Sequence, residues 1–374
     1  MTITLDLVGR VLLGTMFGAG LIQVLYHWLV FSRFAFLRKN NPPKRDTPIS
    51  VIVCARNESK NLQKNLPLLL DQDHPDYELI VVNDCSWDDT EEFLKEFAPA
   101  HPRLKVVTIQ EQERYSHGKK FAITLGIKAA KNERMLFTDA DCWPTGRSWI
   151  SSMSASFNDQ TEIVLGYGGY EKTSGLLNRL IRFDTASIAM QYFSFAIKGN
   201  AYMGVGRNLA YRKTLFFRNK GFARHNHLAS GDDDLLVNET ATTSNVAVNV
   251  SPDAFTRSTP KGTWGGWFSQ KKRHMTTSRL YRAGHRFQLS LIALSNWLLL
   301  LSFVASLSLG TDLRMTLAAW SIVWLLKLPI FALSASRLRE KDLILLYILL
   351  EPIHVLFQPL PFIAQLVSKK RAWK

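Results

Sequence analysis

Cysteine is scarce in this 374-residue chain: Cys54, Cys85 and Cys142 are the whole complement, an odd number with no CxxC spacing. That excludes a disulfide scaffold and predicts reduced thiols, each a small buried residue near a strand end rather than a nucleophile. The 21 glycines follow no triplet period, which excludes a collagen-like chain, and 47% hydrophobic residues exclude a disordered one. There is no internal repeat and no low-complexity segment. Acidic residues are nearly missing from the two ends: outside 46–282 stand 5 Asp+Glu against 16 Lys+Arg, whereas 46–282 holds 26 acidic and 30 basic residues. Most of the net charge of +15 therefore borders long apolar runs, as juxtamembrane charge facing an anionic leaflet does. This distribution argues against a chain-wide nucleic-acid footprint, and no nucleic-acid partner is expected. A mean hydropathy of −0.03 over this length fits a soluble domain joined to membrane segments.

Full charges are absent from residues 11–32, a run of 22 positions long enough, at about 1.5 Å per residue, to cross a hydrocarbon core of roughly 30 Å. No basic cluster precedes the run, whereas Arg33, Arg38, Lys39, Lys44 and Arg45 follow it, which favours an uncleaved anchor over a signal peptide. By the positive-inside rule that cluster stays in the cytosol and the N-terminus lies outside. Residues 287–311 form a second run without a full charge, after Arg279, Arg282 and Arg286. The third, 315–336, contains only Lys327, which could snorkel, pair with Glu351 or face the interior of a bundle. The stretch 343–368 is broken by Glu351, Pro352, Pro359 and Pro361 and precedes Lys369, Lys370, Arg371 and Lys374. A full crossing would put that tail outside, so a broken pair of short helices is expected, with a kinked span as the rival. The expected organisation is a membrane anchor with a basic flank over 1–45, a cytosolic catalytic domain over 46–284, and membrane helices with a basic tail over 285–374. The expected location is the inner (plasma) membrane, multi-pass.

Between these flanks the apolar pattern alternates. Residues 49–54 read as a strand, and Asn57-Glu58-Ser59 opens a helix carrying Leu62, Leu66, Leu69 and Leu70. Residues 77–82 form a second strand ending at Asn83-Asp84, and Asp88-Asp89-Thr90-Glu91 caps the next helix. A third strand covers 104–108, a helix 119–130, and a fourth strand 134–138 ends at Asp139-Ala140-Asp141. Such alternation predicts an α/β fold with a doubly wound, mostly parallel sheet and helices on both faces, with ligands beyond the carboxyl ends of the strands. Asn57, Asp84, Asp139 and Asp141 all fall there. Further on, 149–157 reads as a helix, 163–170 as a strand and 176–195 as a long apolar helix, and 264–274 is an aromatic and basic stretch.

Asp139 and Asp141 supply hard carboxylate oxygens on the ligand side of the sheet, suited to Mg²⁺ or Mn²⁺ held together with phosphates. A helix cap or solvated loop is the plain alternative, and their position favours the metal. Asp232-Asp233-Asp234 repel one another, yet Leu235-Leu236-Val237 follows at once, which suggests a segment docked on a core. A carboxylate held against apolar surface can serve as a general base at neutral pH. Gln270-Lys271-Lys272-Arg273 could be an ordinary membrane flank, but residues 198–282 carry 14 basic and 5 acidic residues, the excess an anionic diphosphate requires. His225 and His227 read as structural or surface residues, and His117 is undecided.

Six segments, in order, resemble membrane-bound family 2 glycosyltransferases with a GT-A domain, the group that includes cellulose, chitin and hyaluronan synthases and ceramide glucosyltransferases. They are Ala55-Arg56-Asn57-Glu58, Asn83-Asp84-Cys85-Ser86, Gly118-Lys119, Asp139-Ala140-Asp141, Gly231-Asp232-Asp233-Asp234 and Gln270-Lys271-Lys272-Arg273, from about Pro48 to Arg273. The resemblance implies a GT-A-like fold and an inverting transfer from a nucleotide-sugar donor, UDP-linked, to a lipid or membrane-proximal glycan acceptor in the cell envelope. Ala55, Glu58, Asp84 and Lys119, with Asn57 beside them, match positions around the nucleotide base. Asp139 and Asp141 match the motif for ribose, diphosphate and the divalent ion. Asp233 matches the base that deprotonates the acceptor hydroxyl, with Asp232 beside it as a second catalytic candidate. Gln270 and Arg273 match a QxxRW motif, Arg273 answering charge on the leaving diphosphate. His274 stands where that motif has tryptophan, which speaks for transfer of one sugar or few rather than polymer extrusion. A processive polysaccharide synthase, a degenerate nucleotide-sugar-binding scaffold and a nucleotidyltransferase are the alternatives.

Overall fold

The computed structural model describes residues 2–38, 47–110, 118–360 and 363, with side chains from Leu7 onward. His117, Lys39, Lys44, Arg45 and the basic tail from Lys369 lie outside the described residues. The described chain divides into two compact units. One gathers residues of 38–173 and 196–262, the other those of 1–37, 174–195 and 263–368. Residues 174–195 group with the apolar helices.

Among the described residues, the first unit carries ten strands: β1 (Ile49–Ala55), β2 (Tyr77–Asp84), β3 (Leu104–Ile109), β4 (Arg134–Asp139), β5 (Cys142–Pro144), β6 (Ile163–Leu165), β7 (Gly168–Tyr170), β8 (Leu209–Arg212), β9 (Val246–Val248) and β10 (Thr256–Ser258). Seven form a sheet in the order β3-β2-β1-β4-β8-β6-β9, in which β8 alone runs antiparallel to its neighbours. β5, β10 and β7 form a small side sheet. β1 and β2 are nearly continuous apolar runs buried on both faces, as parallel strands covered by helices must be. One face packs Val51, Val53 and Leu79 against Leu62, Leu66, Trp149 and Ile150. On the other, the Lys119–Ala129 helix approaches so closely that a Cβ on Gly126 would stand 2.8 Å from Ile52 Cγ2 and 3.0 Å from Val82 Cγ2. The strand order reverses between β2-β1 and β4, the switch point at which an open α/β sheet leaves a crevice.

The sheet departs from the sequence expectation at residues 163–170. These are two strands in two sheets, broken at Gly166-Tyr167, where Gly166 N donates to Asn208 O and the Asn208 amide fills the space a Cβ on Gly166 would need.

Among the described residues of the second unit, three helical segments are long and apolar enough to cross a membrane: Leu7–Ala35, Ala283–Ser308 and Leu313–Arg337. Leu7–Ala35 is helical throughout, with a π-helical turn at His27–Phe31. Met16, Ala19, Leu299, Ala319 and Val323 form a shared core, and Gly20 lets Val323 come within 2.6 Å of where a Cβ would sit. The Leu176–Ile197 helix contributes Arg182, paired with Glu340 and Asp342, and Asp184, paired with Lys271 and His354. Of the three fates open to Lys327, the structure has the pair with Glu351. Residues 264–274 form a helix, Trp264–His274, and Tyr347–Phe357 is a helix of 11 residues, about 16 Å at 1.5 Å per residue and so too short to cross.

Candidate active site

The carboxyl ends of β1, β2 and β4 bring the acidic and small residues of the first unit together. Register puts Ala55 beside Asn83 and Cys54 beside Asp139, so the three loops leave one edge side by side. Ala55 is buried, and Asp84, the last residue of β2, is fully buried. The first two loops are laced to each other: Asn57 N donates to Ser86 Oγ at 3.0 Å, Trp87 N to Asn57 Oδ1 at 2.9 Å, Glu58 N to Thr90 Oγ1 at 3.0 Å and Ser59 N to Asp88 Oδ2 at 3.2 Å. Both turns need left-handed backbone at a non-glycine residue, Asn57 with φ 57° and Cys85 with φ 52°. Such strain persists only where the surroundings over-determine it. Burial raises the Glu58 carboxyl, Asn61 lowers it, and the charges of Asp141 and Asp139 raise it further.

Lys119, at the start of its helix, stands between two carboxylates, 2.9 Å from Asp139 Oδ1 and 3.1 Å from Asp232 Oδ2. Burial works against its charge, but Asp139, Asp232 and Asp233 outweigh burial and hold the ammonium well above its ordinary range. Asp233 is half-buried and precedes the Asp234–Thr240 helix, which it caps by accepting from Asp234 N at 2.8 Å. Its other oxygen accepts from Gly206 N at 2.6 Å, and a Cβ on Gly206 would lie 3.3 Å from that oxygen. Burial first, then Asp232 and Asp234, push the Asp233 carboxyl up to about 7 against the pull of Lys119 and Gly206. Leu235, Leu236 and Val237 are buried, so the acidic turn does dock on a core. A cavity of about 20 Å³ joins Lys119, Asp139, Gly206, Asp232 and Asp233 to Cys54 and Tyr211.

Among the described residues, the one group placed to hold a metal ion is Asp139, Asp141 and Cys142, whose ligand atoms all lie within 4.8 Å of one another. Burial and then Asp141 push the Cys142 thiol far up, and it donates to Asp141 Oδ1 at 3.4 Å, so it acts as a donor and leaves two carboxylates. Asp141 is raised by burial and then by Asp139, a repulsion a cation would relieve. The pair fits Mg²⁺ or Mn²⁺.

Gln270, Arg273 and His274 belong to the Trp264–His274 helix of the other unit, on which Lys271 is held by Asp184. Sequence reasoning passed over Arg207. Its guanidinium lies 4.3 Å from the centre of the Tyr170 ring; burial works against its charge, but Tyr170, Cys142, Asp139 and Asp141 outweigh burial and raise it above its ordinary range. Its carbonyl accepts from Thr138 Oγ1 and Thr256 Oγ1, both at 3.0 Å. The Gly204-Val205-Gly206-Arg207-Asn208 run ahead of β8 is the signal that could have found it. Trp87, 74% exposed beneath Arg56 at 5.5 Å, was also unmarked.

The family model described as "Glycosyl transferase family 2" matches residues 50–217. Glycosyltransferase AglE of Haloferax volcanii is 28% identical over 192 residues, 50% of this chain and 58% of its own. Poly-beta-1,6-N-acetyl-D-glucosamine synthase of Staphylococcus epidermidis is 31% identical over 125 residues, 31% of this chain and 29% of its own. The chain thus spans less than two thirds of the length of either relative. Among solved structures, the mannosyltransferase PcManGT of Pyrobaculum calidifontis, in complex with GDP-Man and Mn²⁺, shares the fold with a TM-score of 0.59 at 20% identity, over 95% of this chain and 99% of that one.

Proposed function

We propose, from the match of residues 50–217 to the family 2 glycosyltransferase model, that the chain moves one sugar from a nucleoside diphosphate donor to a membrane-associated acceptor, inverting the anomeric carbon. The observation that carries the reading is Asp233, a carboxylate with proton affinity near neutrality in the cavity shared with Lys119, Asp139 and Asp232. As the acceptor oxygen bonds to the anomeric carbon, Asp233 takes the hydroxyl proton, and the carbon–oxygen bond to the diphosphate breaks with its electron pair on the departing phosphate. One displacement inverts the centre and needs no carboxylate nucleophile. Lys119 offsets Asp232 and keeps the pull on the Asp233 proton near neutral rather than higher. A divalent ion on Asp139 and Asp141 would, when bound, neutralise charge on the leaving diphosphate.

The donor expected from the resemblance is UDP-linked, whereas PcManGT binds GDP-Man, so the test runs both nucleotides. The full chain with labelled donor, Mn²⁺ or Mg²⁺ and native lipid extract is expected to give one lipid-soluble product. The likeness to a poly-N-acetylglucosamine synthase supports polymer synthesis as a second reading, and His274 with three apolar spans speaks against it. A high-molecular-weight ladder from donor alone would decide for the polymer, and free sugar as the sole product would sink both readings.

A further inference from the structure

Three strands of the first unit fix Arg207, a residue for which the proposed transfer has no use. Thr138, in β4, and Thr256, in β10, both donate to its carbonyl oxygen at 3.0 Å. The side chain runs past β7, where a Cβ on Gly168 would stand 3.0 Å from Arg207 Cβ and 3.5 Å from Nε, and its guanidinium ends over the Tyr170 ring. Strand register relates that end to the metal carboxylates. Tyr170 lies opposite Ser258 and Ser258 opposite Cys142, the neighbour of Asp141, so two strand spacings, roughly 10 Å, separate Tyr170 from Cys142. Thr138 is likewise the neighbour of Asp139. Arg207 is thus tied through its carbonyl to one end of Asp139-Ala140-Asp141, and its guanidinium stands over the strand row of the other end. One arm of the guanidinium, Nη1, is buried with no hydrogen-bond partner among the described residues, so that arm is not closed on a carboxylate. Its charge still reaches Asp141 and lowers it, with exposed Lys261 acting after it in the same direction.

We propose that Arg207 is the cation that makes the divalent ion enter together with the diphosphate, by opposing a metal alone on Asp139 and Asp141 and attracting the phosphates that come with it. The inference rests on the transferase reading. A carboxylate pair beside a fixed guanidinium is already partly compensated, so a bare dication gains less there and is repelled by the like charge. A nucleoside diphosphate reverses the sign, because its oxygens are attracted to Arg207 and to the metal at once. Lys119 is less available for this, since its ammonium is held 2.9 Å from Asp139 and 3.1 Å from Asp232. Stacking on Tyr170 is the plain alternative. It does not account for a guanidinium at this place, because desolvating the charge costs free energy that nearby anions return and an apolar side chain would never incur.

The test titrates Mn²⁺ alone into the full chain in detergent, with the free ion read by electron paramagnetic resonance, and titrates UDP and GDP calorimetrically at saturating Mn²⁺. Arg207→Met is expected to bind Mn²⁺ alone about threefold or more tightly than the unaltered chain, and the nucleotide about threefold or more weakly. Arg207→Gln, which keeps a polar head over Tyr170, is expected to shift both affinities in the same two directions and serves where the methionine variant does not fold. Arg207→Lys restores the charge and is expected to return both affinities toward those of the unaltered chain. Opposite shifts are what a through-space charge produces, whereas a structural role would weaken both ligands together. Parallel losses, no shift in a folded neutral variant, or a lysine variant that behaves like the methionine one each overturn the inference while leaving the transferase reading in place. An unaltered chain that binds neither UDP nor GDP at saturating Mn²⁺ sinks that reading, and the inference with it.

Discussion

Asp233 has one oxygen held by the Gly206 N–H and the other by its own helix terminus, so its orientation is fixed while its proton affinity is set by burial and by two flanking aspartates. As a general base it must be deprotonated to act. The rate constant for transfer is therefore expected to rise with pH through about 7 and to level off above it. Asp233→Asn should leave donor affinity nearly unchanged and slow transfer by roughly 10² or more, with the pH dependence near 7 gone. Isothermal titration of donor and a pH–rate series on both proteins check this, and a collapse of donor affinity would make Asp233 a binding residue instead. Asp141→Ala removes one of the two hard oxygens. Binding of a nucleoside diphosphate in the presence of Mn²⁺ is expected to fall to its metal-free level, and undiminished affinity would refute the metal assignment.

At the scale of elements, the Leu176–Ile197 helix is fixed within its unit by charge as much as by apolar contact. Arg182 donates through Nε to Glu340 Oε2 at 2.8 Å, with both side chains almost wholly buried, and reaches Asp342 at 2.7 Å. Removing one partner of such a pair strands the other. Arg182→Ala is expected to cost about 3–5 kcal/mol, and Arg182→Met with Glu340→Leu to recover more than half of it, because apolar replacement removes both desolvation costs. Thermal unfolding in detergent, followed by tryptophan fluorescence, reads the difference. A double variant no better than the single would mean that the charges matter for more than each other.

For the whole molecule, charge bias around the apolar runs carries the expectation of a cytosolic catalytic domain. Reporter fusions at Thr2 and after Arg45 are expected on opposite sides of the membrane, and a fusion after Arg282 on the same side as the one after Arg45. Equal signals from the first two positions would refute the anchor. The chain spans 58% of the length of one curated relative and 29% of the other, so the acceptor and the linkage belong to the assay rather than to the likeness.

The sequence by itself determined the parallel β1-β2-β4 frame and the loops that end it, because apolar runs of strand length, capping residues and helical spacing are local signals. It also determined the three apolar spans, since length and missing charge suffice. Asp139, Asp141, Asp232 and Asp233 were legible as acidic residues at loop positions. Only the tertiary structure decided that Lys119 joins Asp139 to Asp232, that Arg207 is drawn to Asp139 and Asp141, and that the acidic turn raises Asp233 to about 7. Those effects depend on distances between residues remote in the chain. The split of β6 from β7 escaped the sequence for the same reason: Asn208, some 40 positions away, fills the space beside Gly166 and sends the two halves of one apolar run to different sheets. Likewise Lys327 had three possible fates in the sequence, and the position of Glu351 on a neighbouring helix chose among them.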